Sequence, residues 1–250
     1  MIPDQYKSFT GELWNLVFPR RCAVCRSDAT PDGYAEICED CKSGISPQMG
    51  SACLVCGEPI DGSLSTAGIV RCGRCRIKMP PFDKTVFALR YEGTVRSLIH
   101  RFKFGGRKGL AGAVIAPMLC ARLQRGLEMD RVDLVVPIPL HRARLLKRGF
   151  NQSYLLAREI GTTFSLETST DIIFRKKDTA AQFRQTRAQR WANIRNAFRL
   201  YGSEKLKGKR LLLVDDIMTT GATMFEAARI LKKGGAKSIA CAVAARAAKS

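Results

Sequence analysis

Residues 211 to 223 read LLLVDDIMTTGAT: four apolar residues of strand character, two adjacent acids, a Thr/Gly turn, and from Ala222 the start of a helical pattern. At such a strand-to-helix turn the unpaired N–H groups of the first helical turn point outward with the positive end of the macrodipole, so a phosphate is stabilised there. Gly221 lets backbone approach closely, and the hydroxyls of Thr219, Thr220 and Thr223 add donors around Ala222. Asp215 and Asp216 would repel that phosphate. Ionised carboxylates only accept hydrogen bonds, so beside an anion they suit vicinal hydroxyls or the neighbourhood of a divalent cation. The ligand implied is a sugar phosphate with free hydroxyls; the bland alternative is a strand ending in exposed acids before a capped helix.

Working outward, the flanking segments alternate in period. Residues 85–91 (TVFALRY), 132–136, 172–175, 209–214 and 238–243 read as strands. Residues 94–104, 110–127, 151–160 and 222–233 read as helices, with Pro117 a kink point in the second. Such alternation implies an α/β fold with a mainly parallel sheet flanked by helices, whose ligands gather beyond the carboxyl ends of the strands. Two basic segments fall where that rule places them. Strand 132–136 ends in a Pro-stiffened loop carrying His141, Arg142, Arg144, Lys147, Arg148 and Gly149. Arg offers planar forks and Lys a mobile point charge, a combination suited to a pyrophosphate. Residues 175–199 are rich in Arg, Gln and Thr and read as a mobile arm leading into a short helix, or else as a solvated basic loop.

Eight of the ten cysteines form four CxxC pairs: Cys22/Cys25, Cys38/Cys41, Cys53/Cys56 and Cys72/Cys75. Two thiolates separated by two residues converge on one tetrahedral ion, and two such knuckles close a structural zinc site. Two sites are expected, formed by consecutive pairs; interleaved pairing would give a cross-braced module instead. With no export signal before them, the cysteines suit a reducing, cytoplasmic setting rather than a disulfide framework. Cys120 and Cys241 read as small buried hydrophobes. The boundaries expected are a lead-in helix over 1–20, a double zinc ribbon over 21–78 too poor in aliphatics to fold without metal, and the α/β domain over 84–250.

Lys and Arg number 42 against 22 Asp and Glu, a net charge of +20. Such an excess favours polyanions, single-stranded DNA first among them, the alternative being a solubilising surface plus the arginines a pyrophosphate requires. No apolar run is long enough to span a bilayer. Leu13, Trp14, Leu16, Val17 and Phe18 beside Arg20 and Arg21 leave peripheral membrane contact open, against the simpler reading of a short helix packed on the first ribbon.

The stretch VDDIMTTGAT resembles the binding motif for phosphoribosyl pyrophosphate (PRPP) of type I phosphoribosyltransferases. With IHRFKFGGRKGLA, VPIPLHRARLLKRGFNQS and TAAQFRQTRAQRWANIRNAF behind cysteine knuckles, nearly the whole chain is similar to the competence protein F (ComF/GntX) family. The residues that separate this family from salvage enzymes stand as Arg148, Gly149, Phe150, Asn151 and Gln152. Its TxxQ…RxxN…NAF pattern is matched by Thr179, Gln182, Arg190, Asn193 and Asn196 to Phe198. The resemblance implies a phosphoribosyltransferase-type sheet. In it Asp215 and Asp216 hold the ribose hydroxyls, residues 219–223 the 5′-phosphate, and Arg142, Arg144, Lys147 and Arg148 the pyrophosphate, with Mg²⁺ as cofactor and Arg148 acting on the leaving group. Thr179, Gln182, Arg190 and Asn193 would belong to a loop that closes over PRPP and excludes water. It also implies a link to DNA uptake in natural competence, or to DNA utilisation, alongside proteins of the uptake machinery. Whether such a chain transfers the phosphoribosyl group or only senses PRPP while holding single-stranded DNA stays open at this level. Some family members carry one ribbon, and this sequence implies two.

Overall fold

The structure is a computed structural model and describes residues 21–27, 37–45, 51–60, 71–178 and 186–247. The lead-in, and Thr179 and Gln182 of the arm, lie outside those residues. In chain order the elements are α1 (Glu39–Ser43), α2 (Gly73–Ile77), β1 (Lys84–Arg90), α3 (Gly93–Phe104), α4 (Ala116–Gly126), β2 (Leu134–Pro137), α5 (Arg142–Arg148), α6 (Gln152–Phe164), β3 (Ile173–Arg175), α7 (Arg187–Ile194), β4 (Phe198–Leu200), β5 (Arg210–Met218), α8 (Ala222–Lys233) and β6 (Ser238–Arg246).

Four strands form a wholly parallel sheet in the order β1-β6-β5-β2, and β3 with β4 makes a small antiparallel pair beside it. Strand β5 alternates its side chains between two cores, as a period of two requires. Leu212 and Val214 join Ala242 and the buried faces of α3, α4 and α6. Leu211 and Leu213 join Cys241, Val243, α8 and the β3–β4 pair. Helix α3 shows the matching helical stripe, burying Val95, Leu98, Ile99 and Phe102. Each such side chain contributes about 1.5–3 kcal/mol relative to exposure. Cys120 and Cys241 are buried, as small hydrophobes should be.

Sequence and structure differ at three places that matter. The 110–127 segment is not one α-helix: residues 111–115 form a π-helical turn that runs into α4. Pro117, which lacks an N–H and crowds the preceding turn, marks that junction. The basic segment after β2 is not a loop but the two-turn helix α5. The ring of His141 accepts from the N–H of Ala143 at its start (3.3 Å), and Gly149 ends it in the left-handed region (φ 75°). Strand β5 does not stop at Val214. Its pairing with β6 continues to Met218↔Arg246, whereas β2 ends at Pro137 opposite Val214. From Asp215 onward β5 has an open edge on that side.

The cysteines pair consecutively, and the two quartets sit in different cores. Cys22, Cys38 and Cys41 pack with the α3/α4/α6 side, while Cys53, Cys56, Cys72 and Cys75 pack with Phe82, Phe87 and the α8 side. Edge strand β1 is covered in the process: Thr85 donates its hydroxyl to the Val55 carbonyl at 2.8 Å. That cover also blunts an edge that would otherwise template pairing with another chain.

Candidate functional site

The early end of β2 opens a crevice at the carboxyl edge of the sheet, and a cavity of about 490 Å³ occupies it. Into it the structure brings Asp215 and Asp216 from β5, Thr219, Thr220, Ala222 and Thr223 from the turn, and Arg144 and Arg148 from α5. Arg190 and Asn193 from α7 line it too. Arg144 and Arg148 are four residues apart, about one helical turn, so they share a face of α5. Arg142 and Lys147 fall on its other faces, are exposed, and do not line this cavity. Gly221 holds φ 81° at the head of α8 and lines a second cavity, of about 710 Å³, between α2 and the α7–α8 pair.

The acids have neighbours the sequence did not announce. Lys103, at the last turn of α3, pairs with Asp216 at 3.0 Å. Ser153 donates its hydroxyl to Oδ1 of Asp215 at 2.8 Å, and the Asp216 N–H donates to the same oxygen at 2.9 Å. Asn151 places Ser153 there: its side chain accepts from the Ser153 N–H (3.1 Å) and donates to the Ile138 carbonyl (3.0 Å). Burial, reinforced by the charge of Asp216, pushes Asp215 up to about 7, against the pull of Lys103 and Ser153. Asp215 is thus held above the ordinary carboxylate range, beside an Asp216 that Lys103 pairs.

Cations ring the opposite wall. The Arg148 guanidinium donates to Gln152 Oε1 at 3.1 Å and lies 4.9 Å from the Phe104 ring centre; burial lowers its pKa. Arg175 closes the floor, brought down to about 10 by burial and by the nearby charge of Arg144. Arg190 reaches across from α7 to donate to the Thr219 hydroxyl at 3.2 Å. Lys103, Ser153 and Arg175 are the site residues that sequence reasoning missed. Lys103 and Ser153 stood inside quoted motifs, but nothing in a linear pattern indicates that a lysine ending one helix meets a carboxylate over a hundred residues on.

The turn itself is suited to an anion. Helix α8 starts at Gly221 without a side-chain cap, and only a long contact, Ala222 N–H to the Thr220 hydroxyl at 3.4 Å, serves its first residue. Asp215, Asp216, the threonine hydroxyls, helix-end amides and five arginines, Arg96 with Arg144, Arg148, Arg175 and Arg190, thus share one crevice. A compact polyol with phosphate at both ends matches that distribution of donors and acceptors.

Each cysteine quartet is a fit for zinc. The four sulfurs of each lie within 4.8 Å of one another, and the Cys25–Cys38 and Cys56–Cys72 sulfurs are 3.6 Å apart. A tetrahedral ion with bonds of about 2.3 Å sets sulfurs roughly 3.8 Å apart. Amide N–H groups of Val24 and Cys38 donate to Cys22 Sγ (3.4 and 3.3 Å), as thiolate ligands attract. A hydrogen bond from Cys56 holds Cys53 down to about 4, and burial pushes Cys75 up to about 12. Four thiolates this close would repel one another, and a divalent cation at their centre offsets that repulsion. Among the described residues these are the two groupings of three or more metal-type ligands.

Comparison with known proteins agrees with both halves. A double zinc ribbon domain model matches residues 13–81, and a phosphoribosyl transferase domain model matches residues 145–250. The DNA utilization protein YhgH of Escherichia coli K12 is 32% identical over 90% of this chain and 96% of its own length. Competence protein F of Haemophilus influenzae is 29% identical over 89% of this chain and 95% of its own. Competence protein ComFC of Bacillus subtilis is 26% identical, covering 82% and 81%.

Proposed function

We propose, for a chain that belongs to the competence protein F family, that the crevice beyond β2 binds PRPP and that the protein transfers its phosphoribosyl group with release of pyrophosphate. The observation that carries this reading is the convergence in one cavity of Asp215 and Asp216, Thr219, Thr220, Ala222 and Thr223 of the turn, and Arg144, Arg148 and Arg175. In it the ribose 2′ and 3′ hydroxyls donate to the two carboxylates, the 5′-phosphate accepts from the turn and the start of α8, and the pyrophosphate lies against the arginines. Departure of a diphosphate through an oxocarbenium-like transition state needs charge stabilisation more than a strong base, and a wall of arginines supplies it. Arg190 and Asn193, on α7, stand at the mouth. With the arm before them they would close over the ligand and exclude water.

Magnesium fits this site through the substrate. Asp216 is already paired with Lys103, and Asp215 holds its proton to near neutral pH, so the cation would take its oxygens from pyrophosphate, ribose and water rather than from a protein cage. Bound there it would neutralise charge on the leaving group.

The net charge of +20 supports single-stranded DNA as a second partner, and the names of the relatives, which concern DNA utilisation and competence, point the same way. Calorimetric titration with PRPP and Mg²⁺ tests the pocket: heat with a one-to-one stoichiometry is expected in the wild type and none in the Asp215→Asn, Asp216→Asn double variant. A silent titration of the zinc-loaded wild type would end the reading. Pyrophosphate release in the presence of candidate acceptors separates transfer from sensing, since binding without release leaves only the sensor.

A further inference from the structure

We infer that Arg246 is a positioning residue for the phosphate turn, and that it makes the second cysteine quartet the support of that turn. This rests on the reading of residues 219–223 as the 5′-phosphate site. Arg246 ends β6 and is 2% exposed, among the most enclosed charged residues described. Its guanidinium joins two regions distant in sequence. Nη2 pairs with Glu58 Oε2 at 2.6 Å and Nε donates to the Cys56 carbonyl at 3.3 Å, both in the second quartet's segment. Nη1 donates to the carbonyls of Met218 (2.9 Å), Thr219 and Ala247 (2.7 Å).

The carbonyls decide where the amides point. In a trans peptide the C=O of one residue and the N–H of the next are antiparallel. The Met218 carbonyl, which also accepts from the Ala247 N–H at 3.0 Å as the last rung of the β5–β6 ladder, faces β6 and Arg246. The N–H of Thr219 therefore faces the open edge of β5. By the same rule, the Thr219 carbonyl held on Arg246 turns the N–H of Thr220 away from it. Thr219 lines the acid-bearing cavity and Thr220 both cavities, whereas Arg246 lines only the one that Gly221 also lines. A buried cation thus pulls two carbonyls backward and aims two N–H donors forward, at the place where the phosphate is proposed to sit. Glu58 keeps that cation in place, and the same Oε2 also accepts from Arg74 Nη2 at 3.1 Å.

The test compares two ligands across three proteins, each checked for two bound zinc ions and native circular dichroism. Arg246→Met removes the grip. Thr85→Val removes a different tie, the 2.8 Å hydrogen bond to Val55, that joins the same ribbon to β1 without touching the turn. Ribose 5-phosphate probes the turn, and inorganic pyrophosphate with Mg²⁺ probes the arginine wall. Arg246→Met is expected to weaken ribose 5-phosphate by about tenfold or more, the scale of losing hydrogen bonds to a charged group, while pyrophosphate affinity holds and Thr85→Val changes neither. Should Arg246→Met not fold, Arg246→Lys carries the same comparison, because its single nitrogen keeps the charge beside Glu58 but cannot also hold both carbonyls. Unchanged ribose 5-phosphate affinity in a folded variant overturns the inference alone, and so does equal loss of both ligands, which marks a general structural effect. A wild type that ignores ribose 5-phosphate overturns the pocket assignment and this inference with it.

Discussion

Asp215 is the residue on which pH dependence turns. Its folded-state pKa, near 7, lies above the value near 4 of an unfolded aspartate. A raised carboxyl contributes stability that is complete below about pH 4 and lost as pH rises through about 7. Asp215→Asn keeps the oxygen that accepts from Ser153 and from the Asp216 N–H, so it should melt higher than wild type at pH 8, and the gap should close at pH 4. Thermal scans at the two pH values check the sign. For ligand binding the dependence is opposite, because a ribose hydroxyl donates best to an ionised carboxylate. PRPP affinity of the wild type should rise from pH 6 to pH 8, and that rise should vanish in Asp215→Asn. Among the cations, Arg148→Met should weaken PRPP by roughly 10- to 100-fold, as expected for lost hydrogen bonds to a phosphate. Arg142→Met, on an exposed face of α5 outside the cavity, should cost far less. Isothermal titration with both variants decides whether α5 presents one face or a diffuse charge.

At the scale of elements, the turn between β5 and α8 adopts a backbone conformation that favours glycine. Gly221 sits at φ 81°, and a Cβ there would meet Met218 Cε at 2.8 Å. Gly221→Ala should destabilise the protein by roughly 1–2 kcal/mol, the cost of a left-handed L-residue, and should weaken ribose 5-phosphate beyond that loss. Denaturant melts and titration on the same sample separate the two effects. The hydrophobic periods of α3, α6 and α8 and the strand character of Leu211–Val214 were legible because burial on one face imposes a period that any window of sequence exposes. The helical nature of α5 was not. Of its residues Arg142, Ala143, Arg144, Leu145, Leu146, Lys147 and Arg148 only the two cavity-facing arginines and no leucine are even partly buried, so no apolar stripe marks it, and its two ends are fixed by His141 and Gly149 instead.

At the scale of the whole molecule, the two cysteine quartets tie opposite faces of the sheet to the N-terminal segments. Freshly purified, reduced protein should carry two zinc ions per chain by elemental analysis, and chelation should lower the melting temperature, since segments this poor in aliphatics hold their shape through metal. Binding of single-stranded DNA through the excess positive charge should fall steeply with salt, log K dropping by about 0.7 per phosphate contacted for each decade. A flat salt response would remove that partner. No helix among the described residues is long and apolar enough to cross a membrane. The order of residues alone determined the ligand chemistry of the cysteines, the class of the fold and the strand–acids–turn–helix unit, because each of these is local and repeats at a spacing that bond geometry fixes. Only the tertiary structure decided that β2 ends four residues before Met218 and opens the crevice, that Lys103 and Ser153 meet the acids, and that Arg246 reaches Cys56, 190 positions away. Those contacts follow from which strand lies beside which and from the need of buried charge to find a partner, and neither leaves a period in the chain.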